Sequence, residues 1–431
     1  MERIEIKGFL TIDHADFEIK KINILIGAQA QGKSVIAKLI YFFKKYFSDV
    51  FYQSIQKLAT KQEIEKKCLI QFEQIFPRYS WTNQEFSIVY KNEDVEVSIT
   101  KAKTGKNPKF NYSKELSDFH KELKNSYKLA LNRFSTEIEP EIEKKIPARK
   151  EFIFHDSISE KINDSIFSSI FKESIFVPAG RSFFATLQKN VFSFLVNDID
   201  IDTFIKEFGS RLEQMKRFHE IDQVGLLRHD KANDAFRKKI DKLISDIVSG
   251  EYLYVDEQDW ILNKGIRTNL ANASSGQQES LPMLLILKIW PLVFGSKISF
   301  FIEEPEAHLF PVSQKQIISL IATIYNTFGH SFFITTHSPY ILTAINNLVV
   351  GQDAYDKANG DTNKLKKLEK VLATDELIRL EDVSAYTLNK GKLESIIDLE
   401  NRLIGANLLD AVSDEFDAAF GVATEILYGT D

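Results

Sequence analysis

One stretch limits the possible folds more than any other: "KINILIGAQAQGKSVIAKLIYFF", residues 21–43. Ile22 to Ile26 reads as an apolar strand. Val35, Ile36, Leu39, Ile40 and Phe43 are spaced as the apolar positions of a helix. Between them, Gly27 to Ser34 matches G-x-x-x-x-G-K-S. Such a loop needs glycine where backbone must approach phosphate closely. Successive N–H groups and the helix N-terminus then cradle the oxygens. Gly27, Gln31, Gly32 and Val35 frame that cradle. Lys33 reaches the β- and γ-phosphates, and the Ser34 hydroxyl ligates Mg²⁺. A plain glycine turn accounts for the punctuation but not for this strand–loop–helix context. The segment is read as a P-loop, which predicts an α/β fold.

A second signal lies about 270 residues downstream. "KISFFIEEPEAHLF" carries an apolar strand, Ile298 to Ile302, that ends in Glu303 and Glu304. A buried parallel strand ending in two acids sets them at the carboxyl edge of the sheet, where ligands bind in such folds. One acid can hold Mg²⁺ while the other orients and deprotonates an attacking water. Alone, the pair also fits a solvated strand end; beside a P-loop the catalytic reading prevails. "SFFITTHSPYIL" is a further strand of the same kind, ending in Thr335, Thr336 and His337. His337 can contact the γ-phosphate or the water. The polar run "ANASSGQQES" precedes an apolar helix, and Ser275 with Gln278 fits the capping-box spacing. Pro282 predicts a kink or a later regular start in that helix.

Composition excludes several classes. A single cysteine, Cys68, rules out a disulfide framework, suits a reducing cytoplasm, and reads as a buried apolar side chain. No run is long enough for a membrane span, so no membrane partner is expected. A net charge of −6 supplies no global basic field for nucleic acid.

In the order "GAQAQGKS", "SSGQQE", "FFIEEPEAHL", "ITTHSPYIL", the motifs resemble those of an ABC-type ATPase of the SMC/RecF/OLD branch. That branch commonly carries Glu-Glu-Pro-Glu-Ala-His-Leu and Thr-Thr-His-Ser-Pro at these places. The resemblance is strong over the first 45 residues and about 265 to 345. It implies ATP and Mg²⁺ as cofactors, Ser34 and Glu303 on the metal side, Glu304 as catalytic base and His337 as switch histidine. Ser274, Ser275, Gly276 and Gln277 take the signature positions, which face the γ-phosphate held by the opposite subunit. Glu306, Ala307 and His308 occupy a loop that in relatives crosses to the partner. Three departures stand out. Glu303 replaces a common Asp, Ser275 replaces a signature glycine, and the usual lobe-linking glutamine is missing. Arg181 and Gln188 are the candidates for its place.

The implied architecture is an ABC-type head with a mixed central sheet, an antiparallel β lobe and an inserted helical lobe. Residues 1–50 and 265–348 form the two parts of the core, and 174–181 return a strand to it. Residues 51–173 are an inserted hairpin and helical region: "FSIVY" and "VEVSI" alternate about "KNED", and Leu116 to Phe134 follow helical spacing. Residues 182–264 are a helical lobe in which His219 lies on a helix face. Residues 349–431 hold a lysine-rich segment, a hairpin about Asn389-Lys390-Gly391 and an acidic terminal helix. The tail is read as too short for the TOPRIM nuclease domain of OLD proteins.

Such TOPRIM-less chains resemble ATPase subunits of bacterial anti-phage systems. Overall size, "VPAGRSFFA" and the tail favour the AriA-like group of PARIS over the PtuA-like group of Septu. The resemblance implies a homodimer around ATP or a higher homo-oligomer, a separately encoded nuclease or toxin as effector, and a phage protein or nucleic acid as trigger. Two rival readings stay open. A RecF-like DNA-repair head would show DNA-stimulated, salt-sensitive turnover. An ATP-binding scaffold would show negligible turnover.

Overall fold

The computed structural model describes residues 1–93, 95–136, 147–165, 172–185, 201–223, 231–294 and 297–405. Strands β1 (Glu2–Phe9) and β2 (Ile12–Ile19) pair antiparallel, with Ile4, Ile6, Ala15 and Phe17 buried at alternate positions. β3 (Ile22–Ile26) is instead buried at every residue. Ile22, Ile24 and Ile26 enter one core and Leu25 the other. A strand covered on both faces reads as a continuous apolar run for this reason. Its polar member, Asn23, is satisfied by donating to the Phe332 carbonyl at 3.0 Å.

After the loop come α1 (Lys33–Tyr41), a π-helical turn over Phe42–Phe47, and α2 (Ser48–Gln56). α3 (Lys61–Ile75) opens on a capping box between Thr60 and Glu63. The inserted strands β4 (Phe86–Asn92), β5 (Val95–Lys101) and β6 (Lys109–Tyr112) extend the sheet beyond β1, and α4 (Lys114–Thr136) packs with α5 (Pro147–Asn163). Many phenylalanines are used here: Phe9, Phe72, Phe76 and Phe86 pack ring against ring around buried Trp81. Cys68 is buried beside them, and burial pushes its thiol well up.

β7 (Ser174–Val177) pairs parallel with a later strand. α6 (Thr203–Gln223) and α7 (Lys231–Val248) form the helical layer, and the His219 ring lies tilted against that of Tyr252 with centroids 4.9 Å apart. A three-stranded meander, β8 (Glu251–Val255), β9 (Gln258–Asn263) and β10 (Ile266–Asn269), leads into α8 (Ser275–Phe294). Then follow β11 (Ser299–Glu303), α9 (Pro311–Phe328), β12 (Ser331–Thr336), α10 (Pro339–Ala358), α11 (Thr362–Glu369), β13 (Val383–Asn389) and β14 (Lys392–Ser395).

The fold is α/β around one mixed sheet of eleven strands, in the order β6-β5-β4-β1-β2-β14-β13-β3-β12-β11-β7. From β13 to β7 neighbouring strands run parallel. From β2 outward to β6 they are antiparallel. The hairpin β13–β14 sits between the two halves and turns at Lys390 and Gly391, both left-handed. No helix among the described residues is long and apolar enough to cross a membrane. The expected acidic terminal helix lies outside the described residues.

Two local expectations about α8 are overturned. The helix does not start late: it begins at Ser275 and runs through Pro282 and Pro291. A proline inside a helix costs about 3 kcal/mol. Burial of every residue from Glu279 to Pro291 outweighs that cost. The cap is also shifted by one residue. Gln277 N–H donates to Ser274 Oγ at 3.4 Å, and Gln277 Oε1 accepts from Ser274 N–H at 3.0 Å, so the box is Ser274–Gln277, not Ser275–Gln278.

Candidate nucleotide site

The parallel strands β3, β11 and β12 end side by side, which gathers residues some 300 positions apart. At the end of β3 the loop turns through Gly27 (φ 152°), Ala30 (φ 60°) and Gly32 (φ 102°). A Cβ on Gly32 would lie 2.6 Å from Thr11 Oγ1, so that position requires glycine for space as well as for backbone angle. Ser34 is exposed at the start of α1, while Gln31 and Val35 are half-buried. Lys33 Nζ donates to the carbonyls of Gly27 (2.7 Å) and Ala28 (2.8 Å). Burial pushes its ammonium below the ordinary lysine value, and Glu304 and Glu306 oppose that shift.

Lys33 Nζ also lies 3.2 Å from His337 Nδ1, and His337 Nε2 lies 3.0 Å from Glu304 Oε1. The tautomer that serves both contacts carries its proton on Nε2, accepts from Lys33 and donates to Glu304. Lys33, His337 and Glu304 thus form one polar chain across the ends of the three strands. Glu304 itself is left-handed (φ 45°), a strained conformation for a residue with a side chain. Its N–H donates to the Thr335 carbonyl of β12 at 2.9 Å.

Glu303 points elsewhere. Its carboxylate is buried, Oε2 accepts from Ala179 N–H at 3.3 Å, and Oε1 has no hydrogen-bond partner among the described residues. An orphaned buried carboxylate oxygen fits a divalent cation, with the exposed Ser34 hydroxyl as a second protein ligand. Among the described residues no group of three or more acids, histidines or cysteines could cage a metal by itself.

Sequence reasoning missed the part played by Glu306. Its Oε1 accepts from Thr336 Oγ1 and from His337 N–H, both at 2.7 Å, which pins the start of the histidine segment. Arg181, a candidate for the lobe-linking glutamine, does not reach toward a nucleotide. It is fully buried, and its guanidinium donates to the carbonyls of Pro178, Glu279, Glu303 and Glu304 at 2.7 to 3.0 Å. Its partner Glu279 is the lone acid in an otherwise apolar stretch of α8, a signal the sequence does carry. Burial pushes the Glu279 carboxyl up. Arg181 and the N–H groups of Ser182 and Arg181 outweigh that and hold it below its ordinary value. Gln188 lies outside the described residues.

Ser274, Ser275, Gly276 and Gln277 belong to a separate cluster. Ser274 and Ser275 are exposed, Gln277 Nε2 donates to the Val248 carbonyl at 2.7 Å, and Gly276 packs against the His308 backbone. Among the described residues no hydrogen bond joins this cluster to the chain's own P-loop.

A G-x-x-x-x-G-K-S loop, a strand-end acid pair and a histidine held between Glu304 and Lys33 are the features of a P-loop nucleotide hydrolase. Residues 1–342 match the family model of the AAA ATPase domain, and the chain belongs to that family. It is an ATPase. No curated protein matches the chain. Similar solved structures include the SMC head bound to the C-winged helix domain of ScpA (12% identity, 93% of this chain and 98% of that one, TM-score 0.39). The SMC head domain from Thermotoga maritima (11% identity, 91% and 98%, TM-score 0.36) is another. A third is the recombination mediator protein RecF-ATPrS of the RecFOR pathway (11% identity, 91% and 97%, TM-score 0.33).

Proposed function

We propose that two copies of this chain close around ATP and that the ATP cycle controls a separately encoded effector, a nuclease or toxin, in bacterial anti-phage defence. The observation that carries the catalytic part is the Lys33–His337–Glu304 chain, with contacts of 3.2 and 3.0 Å. In this reading Lys33 and the N–H groups of Gly27 to Val35 bind the phosphates. Glu304 orients the attacking water and takes its proton. His337 donates from Nε2 to Glu304 and so holds that carboxylate in place beside the γ-phosphate. Ser34 and Glu303 would hold Mg²⁺, which supplies positive charge to the phosphate oxygens. Ser274 to Gln277, which make no hydrogen bond to the chain's own loop among the described residues and of which Ser274 and Ser275 are exposed, complete the site of the partner copy. Support for the effector role is the motif resemblance to ATPase subunits of the AriA-like and PtuA-like groups.

The test is Glu304→Gln. Loss of the base should lower turnover about 10²–10⁴-fold. ATP affinity should persist, and the variant should accumulate as an ATP-bound dimer by light scattering. Unchanged turnover and unchanged assembly would remove Glu304 from its role. For the effector, the product of the neighbouring gene should co-purify with the ATP-bound variant; a neighbour without nuclease or toxin activity would sink that half.

A further inference from the structure

Arg181 and Glu279 lie behind the site, not in it, and no step assigned so far uses them. Their contacts are reciprocal. The Glu279 carboxylate accepts from Arg181 N–H and Ser182 N–H, each at 2.8 Å, while Arg181 Nε donates to the Glu279 carbonyl at 2.9 Å. From that anchor the guanidinium spans the ends of two strands. Nη1 donates to Pro178 O, just past β7, and to Glu303 O, the end of β11. Nη2 donates to Glu304 O at 3.0 Å. This last carbonyl also accepts from Ala307 N–H at 3.1 Å. Glu304 is therefore gripped on both sides: its N–H by β12 and its C=O by Arg181.

The grip matters because Glu304 is left-handed. Such a backbone persists only where the surroundings over-determine it. Relaxing to the ordinary helical or extended region would swing the carboxylate away from His337. The other end of the clamp is the first turns of α8, directly after Ser274–Gln277. Pro282 removes the N–H that would close the turn on Gln278, and Arg181 supplies a donor to the next carbonyl in that turn. A second contact joins the same two regions, Gly276 against the His308 carbonyl.

We infer that Arg181 is a positioning residue: with Glu279 it locks the left-handed backbone of Glu304 and ties it to the start of the signature helix. When α8 shifts on closing against a partner's nucleotide, the clamp transmits the shift to the base. The inference rests on the assignment of Glu304 as base.

The experiment uses the full chain and five proteins: parent, Arg181→Lys, Glu279→Gln, Glu304→Gln, and Arg181→Lys in the Glu304→Gln background. Arg181→Lys keeps the charge but loses the fork that reaches four carbonyls. A base displaced by about 1 Å should cost on the order of 10²-fold in kcat, with KM and ATP affinity changed less than about twofold. Glu279→Gln should show the same split. In the Glu304→Gln background, Arg181→Lys should cost nothing further, because it acts through the missing carboxylate. Parent-like kcat in a folded Arg181→Lys, or a further loss in the double variant, overturns the inference. So does failure of both single variants to fold, which assigns the cluster to stability alone. If Glu304→Gln by itself leaves turnover unchanged, the base assignment fails, and that result is separate from the Arg181 readings.

Discussion

Gly276→Ala sets two physical effects of opposite sign against each other. Gly276 is in the first turn of α8, so alanine would by propensity alone stabilise the helix by up to about 1 kcal/mol. The added Cβ, however, would sit 2.8 Å from the His308 carbonyl oxygen and 3.4 Å from Leu309 Cδ2. An ordinary contact begins at 3.4 Å, so the His308 carbonyl must retreat by about 0.6 Å. It has little room to do so. His308 is left-handed (φ 59°), and its turn is closed by Ala307 N–H to Glu304 O and Leu309 N–H to Glu306 O. Overpacking against backbone of this kind costs about 1–3 kcal/mol, and the upper part of that range applies where the neighbour cannot yield. Subtracting the propensity gain leaves a net loss of about 1–2 kcal/mol. The assay is urea unfolding without nucleotide, so that no partner's ATP bears on the result. A midpoint equal to or above that of the parent would show that α8 and the loop after Glu304 are not in contact, and the reasoning would fail.

Ser274→Ala removes the acceptor of the Ser274–Gln277 capping box and should cost about 1 kcal/mol of stability in the nucleotide-free chain. Parent-like urea midpoints for Ser274→Ala, together with a loss on Ser275→Ala, would return the cap to the later register. His330 is buried, and burial pushes its imidazole down to about 4. Between its ordinary value of 6.5 and about 4 the unfolded chain binds a proton that the folded one refuses. Its contribution is therefore complete above pH 6.5, falls as pH drops through that window, and levels off below it. In His330→Gln the urea midpoint should fall less steeply over the window, and equal slopes would contradict the assignment.

Regular elements and the motif-bearing strand ends were legible because each depends on local pattern. β3 and β11 read as apolar runs, and the β4–β5 hairpin as an alternation about a turn. Register at the start of α8 was not legible. S-x-x-Q occurs twice, at Ser274 and Ser275, and the Val248 carbonyl bound by Gln277 accompanies the earlier box. Pro282 misled because helix-breaking is a local rule, while the burial that overrides it comes from α6, α7 and α9. Arg181 was noticed for its place after a strand, but its acceptors lie 98 to 123 positions away for all but Pro178. Glu306 shared this fate. Its position fits a loop toward a partner, yet its carboxylate turns back to its own His337 through a bend no local signal announces.

The placement of the β13–β14 hairpin sets a schedule on synthesis. The whole phosphate loop is encoded within the first 35 residues, yet β3 is flanked by β12 and β13, and Leu388 lies against Gly27 and Gly32. A ribosome adding 5–20 residues per second reaches Leu388 roughly 20–70 s after it has made Ser34. Until β12 is made β3 has neither parallel neighbour, and until β13 follows it has only one, so its apolar side chains must be kept from other partners. A chain stopped short of Val383 would still spell the motif and lack one side of its cradle. Premature termination late in the message should therefore yield a protein that shows the phosphate-binding motif but does not hold the nucleotide.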